Sequence, residues 1–286
     1  MSELYIPPDT YTLEHAYSSQ VRLGIYGRPG SGKTWAALTF PNPVVLNLDN
    51  KLGAHLGRKD VTVVPLNDPE YIWNVLKVSN EPYKYGRHST NNPKLPSNRR
   101  DAVVKWLSEH GAKLIPEQTL ILDSWTSLQN SFHEQQDLEP AYTAQNKVND
   151  FHPWMEKIKY SARVCKLLEG LKCNVVVTFH EHAERDIKSG ELLDSFQPLM
   201  QGKFIAELAG HFTDFFRARV IPKFNVKKEQ VVINAPPGGD YAIQEDREFF
   251  WQIRQDVESE SQTTSLTKVG NFKYIKATYE EFCKWR

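Results

Sequence analysis

The chain has 286 residues, with 35 lysines and arginines balanced by 35 aspartates and glutamates, so its formal net charge is zero. That balance excludes a protein held to polyanions by overall charge, while leaving room for a local basic stripe. Cys165, Cys173 and Cys283 show neither metal-ligand spacing nor disulfide density, and no apolar run approaches the ~20 residues of a membrane span, which together point to a soluble intracellular protein.

The length suits one large domain, or one domain with an appendage. Residues 1–20 read as an N-terminal extension with neither signal-peptide nor transit-peptide character. Residues 22–26 form a short apolar run suited to a buried strand. They lead into Gly27-Arg28-Pro29-Gly30-Ser31-Gly32-Lys33-Thr34, which fits G-x-x-x-x-G-K-[ST] at every fixed position. Glycines in this pattern let successive N–H groups turn inward around an anion. The lysine reaches the terminal phosphates and the threonine hydroxyl holds Mg²⁺. Residues 33–40 suit a helix, stopped by Pro41, whose N-terminal end adds positive potential.

Further strands are expected at 44–49, 61–66, 119–123, 174–179 and 214–220. Near-continuous apolar strands separated by helices imply an α/β fold with a mostly parallel sheet covered on both faces. The clearest helix runs from 153 to 172, with Pro153 in its first turn. Its stripe of Trp154, Ile158, Ser161, Cys165 and Leu168 is best explained as core. Residues 80–100 carry Lys84, Arg87, Lys94, Arg99 and Arg100 against a single acid, Glu81, and read as a basic insertion or a solvated loop. From 221 to 286 the pattern changes to short antiparallel strands around 226–233, 249–253 and 272–276, with a closing helix at 278–285. The expected organisation is therefore an extension (1–20), a core (21–220) and a small β-rich extension of the same domain (221–286).

A phosphate loop needs a carboxylate at the end of another strand. Asp123 fits, because residues 119–122 deliver it to a strand's C-terminal edge, where ligands bind in open parallel sheets; Asp49 competes by the same logic. His180-Glu181-His182 lacks H-E-x-x-H spacing, so a sensor or plain strand-end role outranks a metal site. Phe212, Phe215, Phe216 and Trp125 read as packing residues, with base stacking the weaker alternative for the phenylalanines.

Residues 120–128, Leu-Ile-Leu-Asp-Ser-Trp-Thr-Ser-Leu, resemble the second nucleotide motif of RecA-type ATPases, and lie about 90 residues beyond Lys33, as in that family. Residues 175–181, Val-Val-Val-Thr-Phe-His-Glu, resemble its γ-phosphate-sensing strand. Together with residues 198–203 they look most like phage-encoded RecA-like ATPases of single-strand annealing and recombination. The resemblance covers roughly residues 20–220. It implies that ATP is bound by residues 27–34 (Gly27, Arg28, Pro29, Gly30, Ser31, Gly32, Lys33 and Thr34), and Mg²⁺ by Thr34 and Asp123. Lys33, Asp123, His180 and Asp49 are the implied catalytic set, with His180 as the γ-phosphate sensor. Segment 181–202 takes the place of a DNA-contacting loop. Arg185 and Lys188 there, with Arg87, Arg99 and Arg100, are the candidate DNA contacts, although acids outnumber cations in that loop. Lys203 and Arg217 are candidates to reach a neighbouring subunit's nucleotide. At one place the chain departs from the pattern: Lys51 stands where the family has a glutamate that polarises water. Asp49 then remains as base, or hydrolysis is slow; a nucleotide-gated assembly protein with little hydrolysis, and a helicase or helicase loader, are the alternative readings of function. The implied partners are single-stranded DNA, further copies in a ring or filament, and a single-strand binding protein, with no membrane. The implied location is the cytoplasm, that of a bacterial host if the protein is phage-encoded.

Overall fold

The computed structural model describes residues 20–49, 51–66, 99–138, 151–185, 192–200, 207–222, 247–253, 262–263 and 274–286. The strands are β1 (Arg22–Gly27), β2 (Pro43–Asn47), β3 (Thr62–Pro65), β4 (Thr119–Asp123), β5 (Asn174–Arg185), β6 (Leu192–Pro198), β7 (Asp214–Pro222), β8 (Arg247–Gln252), β9 (Gln262–Thr263) and β10 (Tyr274–Lys276). The helices are α1 (Lys33–Ala37), α2 (Arg99–His110), α3 (Trp125–Leu138), α4 (Phe151–Glu169) and α5 (Tyr279–Trp285). One sheet runs in the order β10-β8-β7-β1-β5-β4-β2-β3, with β6 paired to β5 and β9 to β7. Strands β7, β1, β5, β4, β2 and β3 are mutually parallel. Antiparallel β8 and β10 extend the sheet from β7. This is the α/β, mostly parallel architecture with a small antiparallel C-terminal part that the sequence leads one to expect.

The two faces of the sheet follow from strand periodicity. In β4, Leu120 and Leu122 join one core cluster and Ile121 the other; in β5, Val175, Val177 and Phe179 oppose Val176. The first cluster is covered by Val103 and Leu107 of α2, Trp125 and Leu128 of α3, and Val164, Cys165 and Leu168 of α4. The second is covered by Ala36 and Ala37 of α1 and by Phe282 of α5. Thr278 caps α5 by accepting a hydrogen bond from the Glu281 N–H, and Glu280 and Glu281 fill its first turn, which favours the helix's positive end. Phe215 and Phe216 sit one on each face, fully buried, and Trp125 and Phe212 are buried as well.

Three expectations need correction. The helix after the phosphate motif is regular only over Lys33–Ala37, and turns carry residues 38–40. There the Thr39 hydroxyl donates to the Ala36 carbonyl and the Thr39 N–H turns back to the same group. The basic insertion ends earlier than residue 100, because Arg99 and Arg100 already belong to α2. Strand β5 does not stop at Phe179. Beyond the parallel neighbours its polar residues pair with β6 as an antiparallel hairpin. The strand expected near 226–233 and most of the insertion lie outside the described residues.

The cysteines offer a simple check. Cys165 and Cys173 are buried and Cys283 is exposed. Burial first, and then the nearby Glu169 charge, push the Cys165 thiol up to about 12. Native protein should therefore show one fast-reacting thiol, Cys283, by thiol titration, with the other two reacting only on unfolding. Three equally fast thiols would contradict this packing.

Candidate functional site

Parallel pairing brings the C-terminal ends of the central strands to one edge of the sheet. Gly27 of β1 lies beside His180 of β5, and Asn47 of β2 beside Asp123 of β4. The loop after β1 turns tightly: the Ser31 N–H donates to the Arg28 carbonyl at 3.1 Å. Gly30 (φ 77°) and Gly32 (φ 80°) take left-handed backbone that other residues adopt only with strain. Arg28, Pro29 and Gly30 form the exposed crest.

Lys33 is buried beneath that crest. Its Nζ donates to the carbonyls of Gly27 and Arg28, both at 2.8 Å. These carbonyls satisfy two of the ammonium's three donors but bring no full negative charge. Burial lowers the Lys33 pKa to about 8, against the opposing pull of Asp123, Glu181 and Asp49. Thr34 donates its hydroxyl to Asp123 Oδ2 at 3.0 Å, and Thr178 donates to Asp123 Oδ1. Burial raises the Asp123 pKa, the Thr178 bond opposes the shift, and the nearby Asp49 charge adds to it. The Asp123–Ser124 peptide bond is cis.

Asp49 lies just past β2, where the N–H groups of Leu48 and Asp49 donate to the Asp123 carbonyl. Its carboxylate accepts from the Ser124 hydroxyl at 2.7 Å and from the Ser127 hydroxyl, and it meets His180 Nε2 at 3.1 Å. Burial pushes the Asp49 pKa up, but His180, Ser127 and Ser124 outweigh it and hold the carboxyl well below its usual range. The His180 N–H in turn donates to Thr126 Oγ1 at 3.0 Å, so α3 fixes both ends of the dyad.

A second network stands beside the first. Glu181 is buried and accepts from Arg28 Nε at 3.1 Å and from Arg217 Nε at 2.8 Å. Phe196 of β6 lies under both cations, 3.8 Å from the Arg217 guanidinium carbon and 5.2 Å from that of Arg28. Arg217, expected to reach a neighbouring subunit, is 4% exposed and engaged with Glu181 of its own chain. A role in trans would first require that pair to open.

The structure thus brings together Gly27, Lys33, Thr34, Asp49, Asp123 and His180. Arg185 ends β5, and Arg99 and Arg100 open α2. Arg87, Lys188 and Lys203 lie outside the described residues. Sequence reasoning missed Thr178 and Ser127 as carboxylate donors and Glu181 as an arginine clamp. The available signal for Thr178 was a polar residue directly after three valines in an otherwise apolar run.

The side chains suit a nucleotide and its cation. Ser31 Oγ is buried with no partner among the described residues, and Lys33 retains a donor beside the open crest. Thr34 and Asp123 offer adjacent hard oxygens, the type Mg²⁺ prefers, and a cation there would relieve the burial of Asp123. Among the described residues no cluster of three or more His, Cys, Asp or Glu side chains placed to hold a metal ion appears. No helix of the described residues is long and apolar enough to cross a membrane.

A search of curated proteins finds no match. Among solved structures, the RadB recombinase is similar at 12% identity and TM-score 0.31, over 72% of this chain and 77% of that one. A KaiC-like protein from Pyrococcus horikoshii OT3 is similar at 12% identity and TM-score 0.37, over 86% and 84%. A protein-family model described as an AAA domain matches residues 19–238, which include the whole phosphate loop, Asp49, Asp123 and His180. With that match over most of its length, the chain belongs to the AAA-domain family and is a P-loop NTPase.

Proposed function

We propose that the protein is an ATP- and Mg²⁺-dependent RecA-like ATPase that acts on single-stranded DNA in phage-type recombination, annealing or replication. The observation that supports the nucleotide chemistry most is the convergence on one sheet edge of Lys33, bonded to the loop carbonyls, of Thr34, bonded to Asp123, and of Asp49, which meets His180. In this reading the loop N–H groups and Lys33 bind and orient the phosphates, while Thr34 and Asp123 hold Mg²⁺. The metal's contribution, when bound, is to neutralise phosphate charge. His180 faces the attacking water. Asp49, whose carboxylate is already committed to three donors, is a weak base and orients the imidazole. The DNA contacts are assigned to Arg87, Arg99, Arg100, Arg185 and Lys188, the trans contact to Lys203, and the setting to the cytoplasm, with assembly into a ring or filament. The segment from 221 onward is read as part of the same domain.

Lys51 is exposed at the place where the resemblance puts a catalytic glutamate, and this favours a second reading: slow hydrolysis, with ATP acting chiefly as an assembly switch. ATPase rate and sedimentation size, each measured with and without single-stranded DNA, separate the two. DNA-stimulated turnover supports the first reading. Nucleotide-dependent assembly without turnover supports the second, and no response of either kind to ATP or DNA would defeat both.

The dyad gives its own prediction. Asp49→Asn and His180→Gln should each slow turnover by ~10²–10⁴-fold while leaving ATP affinity nearly intact, the range a general base contributes. Steady-state kinetics alongside direct nucleotide binding test it; a normal rate in His180→Gln removes the imidazole from the reaction. Asp123→Asn should weaken the Mg²⁺ dependence of turnover, and an identical defect across a Mg²⁺ titration would count against its metal role.

A further inference from the structure

We infer that Trp35 and Phe249 form the platform on which the base of the bound nucleotide rests, an inference that builds on the phosphate-loop reading above. Trp35 follows Thr34 directly, on the first turn of α1, and is 39% exposed where its neighbours Ala36 and Ala37 are fully buried. Its ring packs against Phe249 of β8 with centroids 5.3 Å apart and the ring planes tilted by 36°. Phe249 lies against the loop itself: a Cβ at Gly32 would stand 2.3 Å from its ring. Two aromatic rings are therefore fixed to the phosphate loop, and one of them, Trp35, is partly exposed to solvent.

The sheet order says which part of a nucleotide would meet them. Asp123, Asp49 and His180 come from β4, the end of β2 and β5, all on one side of β1. The γ-phosphate, where the chemistry occurs, belongs with them. Strands β7 and β8, which carry Phe249, lie on the opposite side of β1. A nucleotide with its phosphates in the loop and its reactive end toward β5 and β4 runs its nucleoside end toward β8. Every base has a π-face, so a partly exposed indole backed by a second ring there holds a base without reading its edges.

The test compares ATP with inorganic tripolyphosphate, each with Mg²⁺, by calorimetry on the full chain. For Trp35→Ala we expect ATP affinity to fall about tenfold, the effect of losing one base–aromatic stack, and tripolyphosphate affinity to stay within about twofold. Trp35→Phe should recover most of the loss. Phe249→Ala should show the same preference for harming ATP, and its melting temperature distinguishes this from general unfolding. Equal weakening of both ligands, or unchanged ATP affinity in Trp35→Ala, overturns the platform. So does Trp35→Ala altering only the sedimentation size, since the ring would then serve contact between copies. If the parent binds neither ligand, the phosphate-loop reading itself fails, and the platform with it.

Discussion

Replacing Lys33 by alanine is expected to abolish ATP binding and turnover without lowering the stability of the ligand-free protein. The ammonium is the only motif cation beneath the loop crest, so its removal takes away the charge that faces the phosphates. In the empty protein that charge is a burden. Its pKa falls from 10.5 to about 8, so the folded chain holds the proton less tightly than the unfolded chain does. The resulting penalty is fully present below pH 8 and disappears as pH rises through 10.5. It amounts to roughly 3 kcal/mol, by ~1.4 kcal/mol per unit. The carbonyls of Gly27 and Arg28 lose their lysine donor in the variant, which offsets part of the gain. Thermal unfolding with and without Mg-ATP separates binding from folding. At a hundredfold excess over its dissociation constant, ATP should stabilise the parent by ~2.7 kcal/mol and the variant not at all. A full ATP-induced shift in folded Lys33→Ala would end the assignment of the loop.

The largest stability effect is expected at Glu181. Its side chain is 2% exposed and it neutralises Arg217, whose side chain is 5% exposed. Glu181→Ala leaves a buried guanidinium with its main counter-charge gone, and breaking such a pair costs ~3–5 kcal/mol. Glu181→Gln keeps the shape and part of the hydrogen bonding and should cost less. Arg217→Met combined with Glu181→Ala should recover much of the loss, because no isolated charge remains. Urea unfolding of the parent, Glu181→Ala, Arg217→Met and the double variant completes the cycle. A cost below ~1 kcal/mol for Glu181→Ala would mean that water reaches Arg217 and that the pair is not a buried one.

The sequence made the sheet legible because the parallel strands are buried on both faces and therefore read as unbroken apolar runs. It made the phosphate loop legible because eight consecutive residues carry the whole phosphate-binding pattern. It left the rest of the site obscure because those partners meet only through strand pairing. Asp49 and Ser127 are 78 positions apart, and Glu181 and Arg217 are 36 apart. Nothing local marks Glu181 as a clamp. In the chain it is one more acid in a polar stretch, and only the β5–β6 hairpin, with Phe196 beneath two arginines, gives it that role. The regular helix after the loop was overestimated for the opposite reason: its composition suits a helix, but backbone turns and the Thr39 side chain end it early.

The contact of Phe249 with Gly32 carries a consequence for biosynthesis. The ribosome delivers the phosphate loop near the beginning of the described chain, and the ring that lies against it arrives more than 200 residues later. Strand β7, beside β1, is also a late arrival, and among the described residues its outer edge is covered by β8 and, at its start, by β9. A chain that ends before residue 247 therefore carries every phosphate-loop residue but lacks both described strands that cover the edge of β7, a template for pairing with other chains. Truncated products that lack β8 should aggregate through that edge, in addition to any ordered assembly of the complete chain, and slow decoding ahead of β8 should lower soluble yield while leaving the finished protein unchanged.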